Sequence, residues 1–394
     1  MVAGLLAVSF CSPFHVNGQT WTQTIYGYWY SIASSADGSR LFATEYYGDI
    51  YSSTNGGQRW NPTGAPGDRA WVAIASSADG ATLIAAAQPH TGPAGAVFVS
   101  HDLGATWAQA VLPAYFWGLV ASSADGHRLV TVGSTAQLTW PYTNVIYVSS
   151  DSGGSWALSD APNEFWNGVA SSADGLRLAV TGSNGTWTST NGGLNWNPTT
   201  TPFGGLSVAV SGDGTTLIVL NHGSVAVSHD WGADWITNST MPNPTYQGTP
   251  KVASSVDGTL LAALPSGTTF DIEALISTNA GLSWSNSQVC VGGWTNPCCI
   301  ASSADGRKVA VAIHYSGIFT YQTTPAPVLN LVSSGDNIVL SWIVPSKNFV
   351  LQQSSDLSAW SPLGVTPVLN YTNLHYEVTV LRTGDQRFYR LASP

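Results

Sequence analysis

WGLVASSADGHRL at residues 117–129 and IYVSSDSGGSW at residues 146–156, separated by an apolar run and a loop, form the unit that repeats along this chain. The first punctuation mark, ASSADG, begins at Ala33, Ala75, Ala121, Ala170 and Ala301, with the variants AVSGDG at Ala209 and ASSVDG at Ala253. These seven copies stand about 45 residues apart, a period that suits four short strands with their turns. A four-stranded propeller blade is the natural unit.

The second mark follows S-x-D/N-x-G-x-x-W. It reads STNGGQRW from Ser53, SHDLGATW from Ser100, SSDSGGSW from Ser149, STNGGLNW from Ser189, SHDWGADW from Ser228 and STNAGLSW from Ser277. Six such boxes serve seven units, and the seventh unit stops after GIFTYQ at Gln322 without a last strand. At the other end GQTWTQT, from Gly18, keeps the G-x-x-W spacing through Trp21. The N-terminus is therefore expected to supply the missing strand and close the ring, which removes the exposed sheet edges.

The box residues have a physical task. The Asp or Asn can bond the backbone two residues on, the Gly can take a positive φ, and the Trp can fill the wedge between neighbouring sheets. Asn55, Asn191 and Asn279 stand where Asp102, Asp151 and Asp230 stand in the other copies. An amide makes the same turn but cannot do carboxylate chemistry, so these positions are structural. The seven Asp-Gly turns, from Asp37-Gly38 to Asp305-Gly306, are likewise hairpin chemistry.

Six boxes in register resemble the Asp-box (BNR) repeats of sialidase-like, sortilin-like, xyloglucanase-like and photosystem II assembly-factor-like propellers, over about residues 19–324. The resemblance implies an all-β fold, a seven-bladed β-propeller closed by an N-terminal strand. It implies no single activity, because the box is shared across unrelated functions. Residues 325–394 leave the period after TTPAPV, and runs such as NIVLSWIV and HYEVTVLR alternate as short strands do. They are expected to form a small β-sandwich that resembles fibronectin-like tail modules and serves as spacer or cap, or for surface attachment.

Composition narrows the partners. Only 9% of residues are charged, against about a quarter in an ordinary domain, and the net charge is -10. No Lys/Arg cluster is present to neutralise phosphates, so nucleic acid and anionic membranes are unsuitable partners. Residues 1–18, MVAGLLAVSFCSPFHVNG, read as a secretory leader, which predicts a secreted or cell-surface protein. Cys11 offers a lipid anchor as an alternative, although Phe10 before it is bulky; no run reaches the roughly 18 apolar residues of a membrane span. Cys290, Cys298 and Cys299 lie within ten residues, and a bridge from Cys290 to one of the pair would tie down a loop in an oxidising compartment. No zinc-ligand spacing accompanies them, and neither a metal nor a cofactor is expected.

Because strand direction alternates, both repeated turns must lie on one face of the ring and all irregular loops on the other. Those loops carry the candidate site. Trp29, Trp71, Trp117 and Trp166 each stand four residues before an ASSADG, whereas Gly205, Thr249 and Pro297 occupy the equivalent places elsewhere. Two readings stand side by side: indoles packed between inner strands, or an aromatic platform with Tyr46, Tyr47, Tyr115, Trp140 and the lone suitable cation Arg69. A platform with few charges suits sugar rings or an apolar peptide.

A sialidase would need an arginine cluster, yet Arg40, Arg128, Arg177 and Arg307 all sit beside Asp-Gly turns on the other face. A glycoside hydrolase or lyase needs two carboxyls on the loop face, for which Glu45, Asp68, Asp160 and Glu164 are the candidates, with Asp49, Asp271 and Glu273 nearby. Serine-hydrolase, zincin and dinucleotide motifs do not occur. The expectation is a non-catalytic binding or adhesion propeller with a glycan or protein ligand on its loop face. A polysaccharide-active enzyme is the alternative, and a self-associating subunit of a cell-surface layer or filament is a third class.

Overall fold

The computed structural model describes residues 15–16, 19–67, 69–89, 94–135, 143–221, 223–238, 250–264, 271–291, 297–314, 316–322, 328–343, 349–371, 374–382 and 387–392, a few of them by backbone alone. Among these, every regular element is a β-strand. Seven four-stranded antiparallel sheets follow one another from residue 22 to residue 322. The first is built from Trp29–Ser34, Leu41–Glu45, Ile50–Ser53 and Asn61–Pro62, in chain order from inside to outside. The seventh takes Pro297–Ser302, Lys308–Ile313 and Ser316–Gln322 from the end of the repeats and Thr22–Gly27 from the beginning. Thr22 pairs with Thr320 and Gly27 with Ser316, and the buried Trp21 reaches across to donate from Nε1 to Ser287 Oγ at 2.9 Å.

The ring is closed at its axis by backbone alone. Ala36 N donates to Ala78 O, Ala78 to Ala124, Ala124 to Ala173 and Ala173 to Gly212, at 2.7–2.8 Å. Asp213 N then donates to Val256 O, Val256 to Ala304, and Ala304 returns to Ala36. Each ASSADG turn thus satisfies its neighbour's carbonyl, and the small side chain at its fourth position allows the close approach. Within each turn the Asp carboxylate accepts from the serine hydroxyl two residues before it and the amide two residues after it, as Asp37 does from Ser35 and Ser39. Arg40 and Arg177 reach the carbonyls of Asp79 and Gly214 in the following sheet, so these arginines rivet neighbouring turns together. Lys308 does the same to Asp37 O at 2.9 Å.

The second turn lies against the first. Gly56 N donates to Ser39 O, Ser152 N to His127 O and Gly192 N to Leu176 O, each at 2.8 Å, so both repeated turns share one face, as strand alternation requires. One detail differs from the sequence expectation: the side chain of the box Asp or Asn accepts from the amide four residues on, not two. Thr106 N reaches Asp102 Oδ1 at 2.8 Å, and Arg59 N reaches Asn55 Oδ1 at 2.9 Å. The box Ser occupies the space between, accepting from the Gly amide four residues on, as Ser100 does from Gly104 at 2.9 Å. The loop is wider because two successive residues, such as Leu103 (φ 64) and Gly104 (φ 86), take positive φ.

Beyond the ring, Asn330–Ser334, Asn337–Ile343, His375–Leu381 and Val368–Asn370 form one sheet, and Ser361–Pro362, Val350–Ser354 and Phe388–Ala392 another. Leu340, Trp342, Leu351 and Val378 are the core of this tail. Ile343, Leu369, Leu374 and Tyr376 pack against the axial ring that includes Ala36, Ala78, Ala124 and Ala173. The tail therefore covers the axis on the turn face. It also repeats the box geometry in a shorter form: Asp356 Oδ1 accepts from Ser354 Oγ and Ser358 N, with Leu357 at φ 66.

Candidate functional site

The four repeated tryptophans do not line the mouth of the ring. Trp29, Trp71, Trp117 and Trp166 are only 1, 0, 1 and 7% exposed, each wedged between its own sheet and the one before. Trp29 packs edge-on against Tyr51 and beside Trp60, and Trp71 lies between Phe98 and Trp107. The reading of these indoles as an exposed platform is therefore corrected: they are core. The reason is a β-bulge that falls directly after each of them, between Trp29 and Ser31, Trp71 and Ala73, Trp117 and Leu119, and Trp166 and Gly168. A bulge inserts one residue and re-aims its neighbours. The inserted residues Tyr30, Val72, Gly118 and Asn167 line the axial cavity, which of the four indoles only Trp166 also borders.

That cavity has a volume of about 720 Å³, within the range of small-ligand sites. Its wall is about as polar as it is apolar, with Ile32, Ile74, Val120 and Val252 beside Gln88, Asn167, Lys251, Cys299 and His314. Below it, on the turn face, a smaller space of about 170 Å³ is bounded by Ala36, Ala78, Ala124 and Leu374 of the tail. The tail thus stands at the lower end.

At the upper rim, five aromatic rings run from the cavity to solvent. Tyr30 and His314 line the cavity with ring centroids 5.1 Å apart. Tyr46 stacks on Tyr30 (5.0 Å, 20°), Tyr28 meets Tyr46 edge-on at 5.3 Å, and Tyr47 lies 4.1 Å from Tyr46. Tyr46 and Tyr47 also share a hydroxyl–hydroxyl bond of 3.3 Å, and Tyr47 is 56% exposed. The Tyr46 phenol is pushed up to about 12, first by that bond and then by burial, so it stays a neutral donor. Burial likewise pushes the His314 imidazole down, so it is uncharged at neutral pH. Tyr47 adopts φ 60, and among the described residues it is the one non-glycine at positive φ on the loop face of the ring. Tyr47 stands in the turn between the second and third strands of the first sheet, where Gly48 N donates to Glu45 O at 3.2 Å.

The other sequence candidates are dispersed. Tyr115 is half-buried and packs edge-on against Trp117, and the Arg69 guanidinium sits 5.1 Å from the centre of the Phe98 ring. Glu45 ends the second strand of the first sheet, whereas Asp160 and Glu164 lie between the third and fourth sheets, on the far side of the ring. Glu164 accepts from Asn184 and Glu273 from Asn286, which ties both to local structure. Asp68, Trp140 and Thr249 lie outside the described residues, as do residues 1–14 with Cys11 and the side chains of Asp271, Cys290 and Cys298. Cys299 is a free thiol, 3.8 Å from Ser31 Oγ, so it takes no part in the expected bridge.

Sequence reasoning named Tyr46 and Tyr47 but missed Tyr28, Tyr30, His314 and Lys251. The available signal was register: Tyr30 and Lys251 fall at inner-strand positions where other copies carry small or aliphatic residues.

With ring, axis and loops in place, comparison with solved structures agrees. The fold is a β-propeller. YCF48 bound to D1 peptide superimposes with a TM-score of 0.58 at 16% identity, covering 80% of this chain and 100% of that one. YCF48 from Cyanidioschyzon merolae gives 0.56 at 14% identity, covering 77% and 98%. At such identities the likeness concerns fold alone. No protein-family model matches the sequence, and no curated protein matches it.

Proposed function

We propose that this chain is a non-catalytic binding propeller that holds a glycan at the loop-face mouth of its axis. The observation that carries the reading is the continuous ladder from Tyr30 and His314 through Tyr46 to the strained, exposed Tyr47. Tyrosine faces take up the apolar side of a sugar ring while their hydroxyls bond its rim, and they need no charge to do so. Glu45 lies across the ring from Asp160 and Glu164, so it shares no hydrolytic centre with them, since a glycosidase needs its two carboxyls within roughly 10 Å. Export of the chain, with residues 1–18 as leader, an Asp-box ring at 19–324 and a tail at 325–394, completes the proposal.

A glycan array probed with the wild-type protein and with the Tyr46→Ala and Tyr47→Ala variants tests it. Selective binding that both substitutions weaken supports the reading; binding indifferent to both contradicts it. A peptide ligand is the second reading, favoured because the similar YCF48 structure holds one, and a peptide library probed with the same variants decides between them.

A further inference from the structure

Seven inner strands present the same register position, two residues before the alanine of each ASSADG copy, to the axial cavity. In six sheets it holds Ser31, Ala73, Leu119, Gly168, Ser207 or Cys299, all small or aliphatic. In the sixth sheet it is Lys251, the first residue of the strand Lys251–Ser254. This break in a repeated pattern puts one of only 12 lysines and arginines of the chain into the lining of the axial cavity. Among the described residues no carboxylate lines that cavity, and none gives the Lys251 ammonium a hydrogen bond or an ion pair. The other basic group of the lining, His314, is uncharged at neutral pH.

We infer that Lys251 is the counter-charge for one carboxylate of the bound ligand, and that the glycan carries a single uronic-acid residue seated in the axial cavity. This rests on the glycan reading above. An ammonium that no described residue partners is met by an incoming carboxylate through a charge-assisted hydrogen bond. The amide of Asn167 and the phenol of Tyr30 line the same cavity and suit the hydroxyls of the same sugar. One carboxylate, rather than a polyuronate, follows from the charges: a single cation faces it, and the chain as a whole carries -10. The ladder of tyrosines outside the mouth then takes the neutral sugars that follow.

The test is calorimetric titration of the full chain with a glucuronic-acid-terminated oligosaccharide and with the same oligosaccharide ending in glucose. The acidic probe is expected to bind roughly tenfold or more tightly, as befits a charge-assisted contact. In Lys251→Met the preference of the acidic over the neutral probe should vanish; Lys251→Arg should retain much of it. Thermal unfolding of both variants at the wild-type temperature verifies that the ring is intact. Equal binding of the two probes by the wild-type protein, or a preference that survives Lys251→Met, overturns the inference while leaving the glycan reading standing. Binding of neither probe overturns both. A peptide whose free C-terminal carboxylate binds in a Lys251-dependent way, where its amide and the sugars do not, assigns the carboxylate to a different ligand and also overturns it.

Discussion

On the turn face, every sheet repeats two bonds, an amide of its ASSADG-type turn donating to the next sheet's carbonyl and a carboxylate closing its own loop, and six sheets add a box serine under a glycine amide. On the loop face no two sheets agree, and the distinctive side chains gather at one part of the rim, in Tyr28, Tyr30, Tyr46, Tyr47 and His314, with Lys251 inside. The contrast separates two kinds of residue. Where a side chain satisfies backbone in equivalent places around the ring, its chemistry serves closure, and at the six box positions Asp and Asn exchange freely. Where the repeat is broken, the residue meets something other than the ring. Closure by hydrogen bonds on one face leaves the other face free to vary without loss of the fold.

The largest way to sharpen this contrast is to cut into the wedges. Trp71→Ala removes a fully buried indole between the first two sheets and is expected to cost about 3–5 kcal/mol in urea unfolding. A loss below about 1 kcal/mol would mean the indole is not core. Next, Ser100→Ala leaves the buried Gly104 amide without its acceptor and should cost about 1–3 kcal/mol; an unchanged midpoint would deny the box its structural role.

Smaller still is the acid dependence. Hydrogen bonds from Thr106 hold the Asp102 carboxyl at about 2, and those from Ser155 hold Asp151 at about 2, below the usual carboxylate range. A folded-state value below the unfolded one contributes stability above about pH 4 that is lost as pH falls through about 2. Stability of the wild-type protein should therefore drop across that window, and Asp102→Asn with Asp151→Asn should flatten the drop while retaining the fold. An identical acid slope in the double variant would break the argument. Smallest in stability, though not in binding, is Tyr46→Ala at the rim, expected to shift unfolding by no more than about 1 kcal/mol.

Much of the ring is legible in the amino-acid sequence, because turn chemistry is local and the repeat shows it seven times. The closing strand is legible through one odd glycine-to-tryptophan spacing at Gly18 and Trp21 and a missing box after Gln322. The direction of the four repeated tryptophans is not. Strand alternation carries no sign of a bulge, and a one-residue insertion moves the next side chain to the axis in place of the indole. The box bond to the fourth amide escapes sequence reasoning for a similar reason, since its geometry depends on two consecutive positive φ values, the first on residues as varied as Leu103, Ser152 and Trp231. The rim cluster draws on residues almost 290 positions apart, from Tyr28 to His314, which only ring closure brings together.

The most direct measurement is hydrogen–deuterium exchange of the full chain with and without the strongest glycan identified on the array. The backbone around Tyr28–Tyr30, Glu45–Gly48 and His314 should gain protection, while the turns at Ala36–Ser39 and their six counterparts should exchange as before. Protection confined to those turns, with the tyrosine rim unchanged, would contradict the division of the molecule into a face that closes and a face that binds.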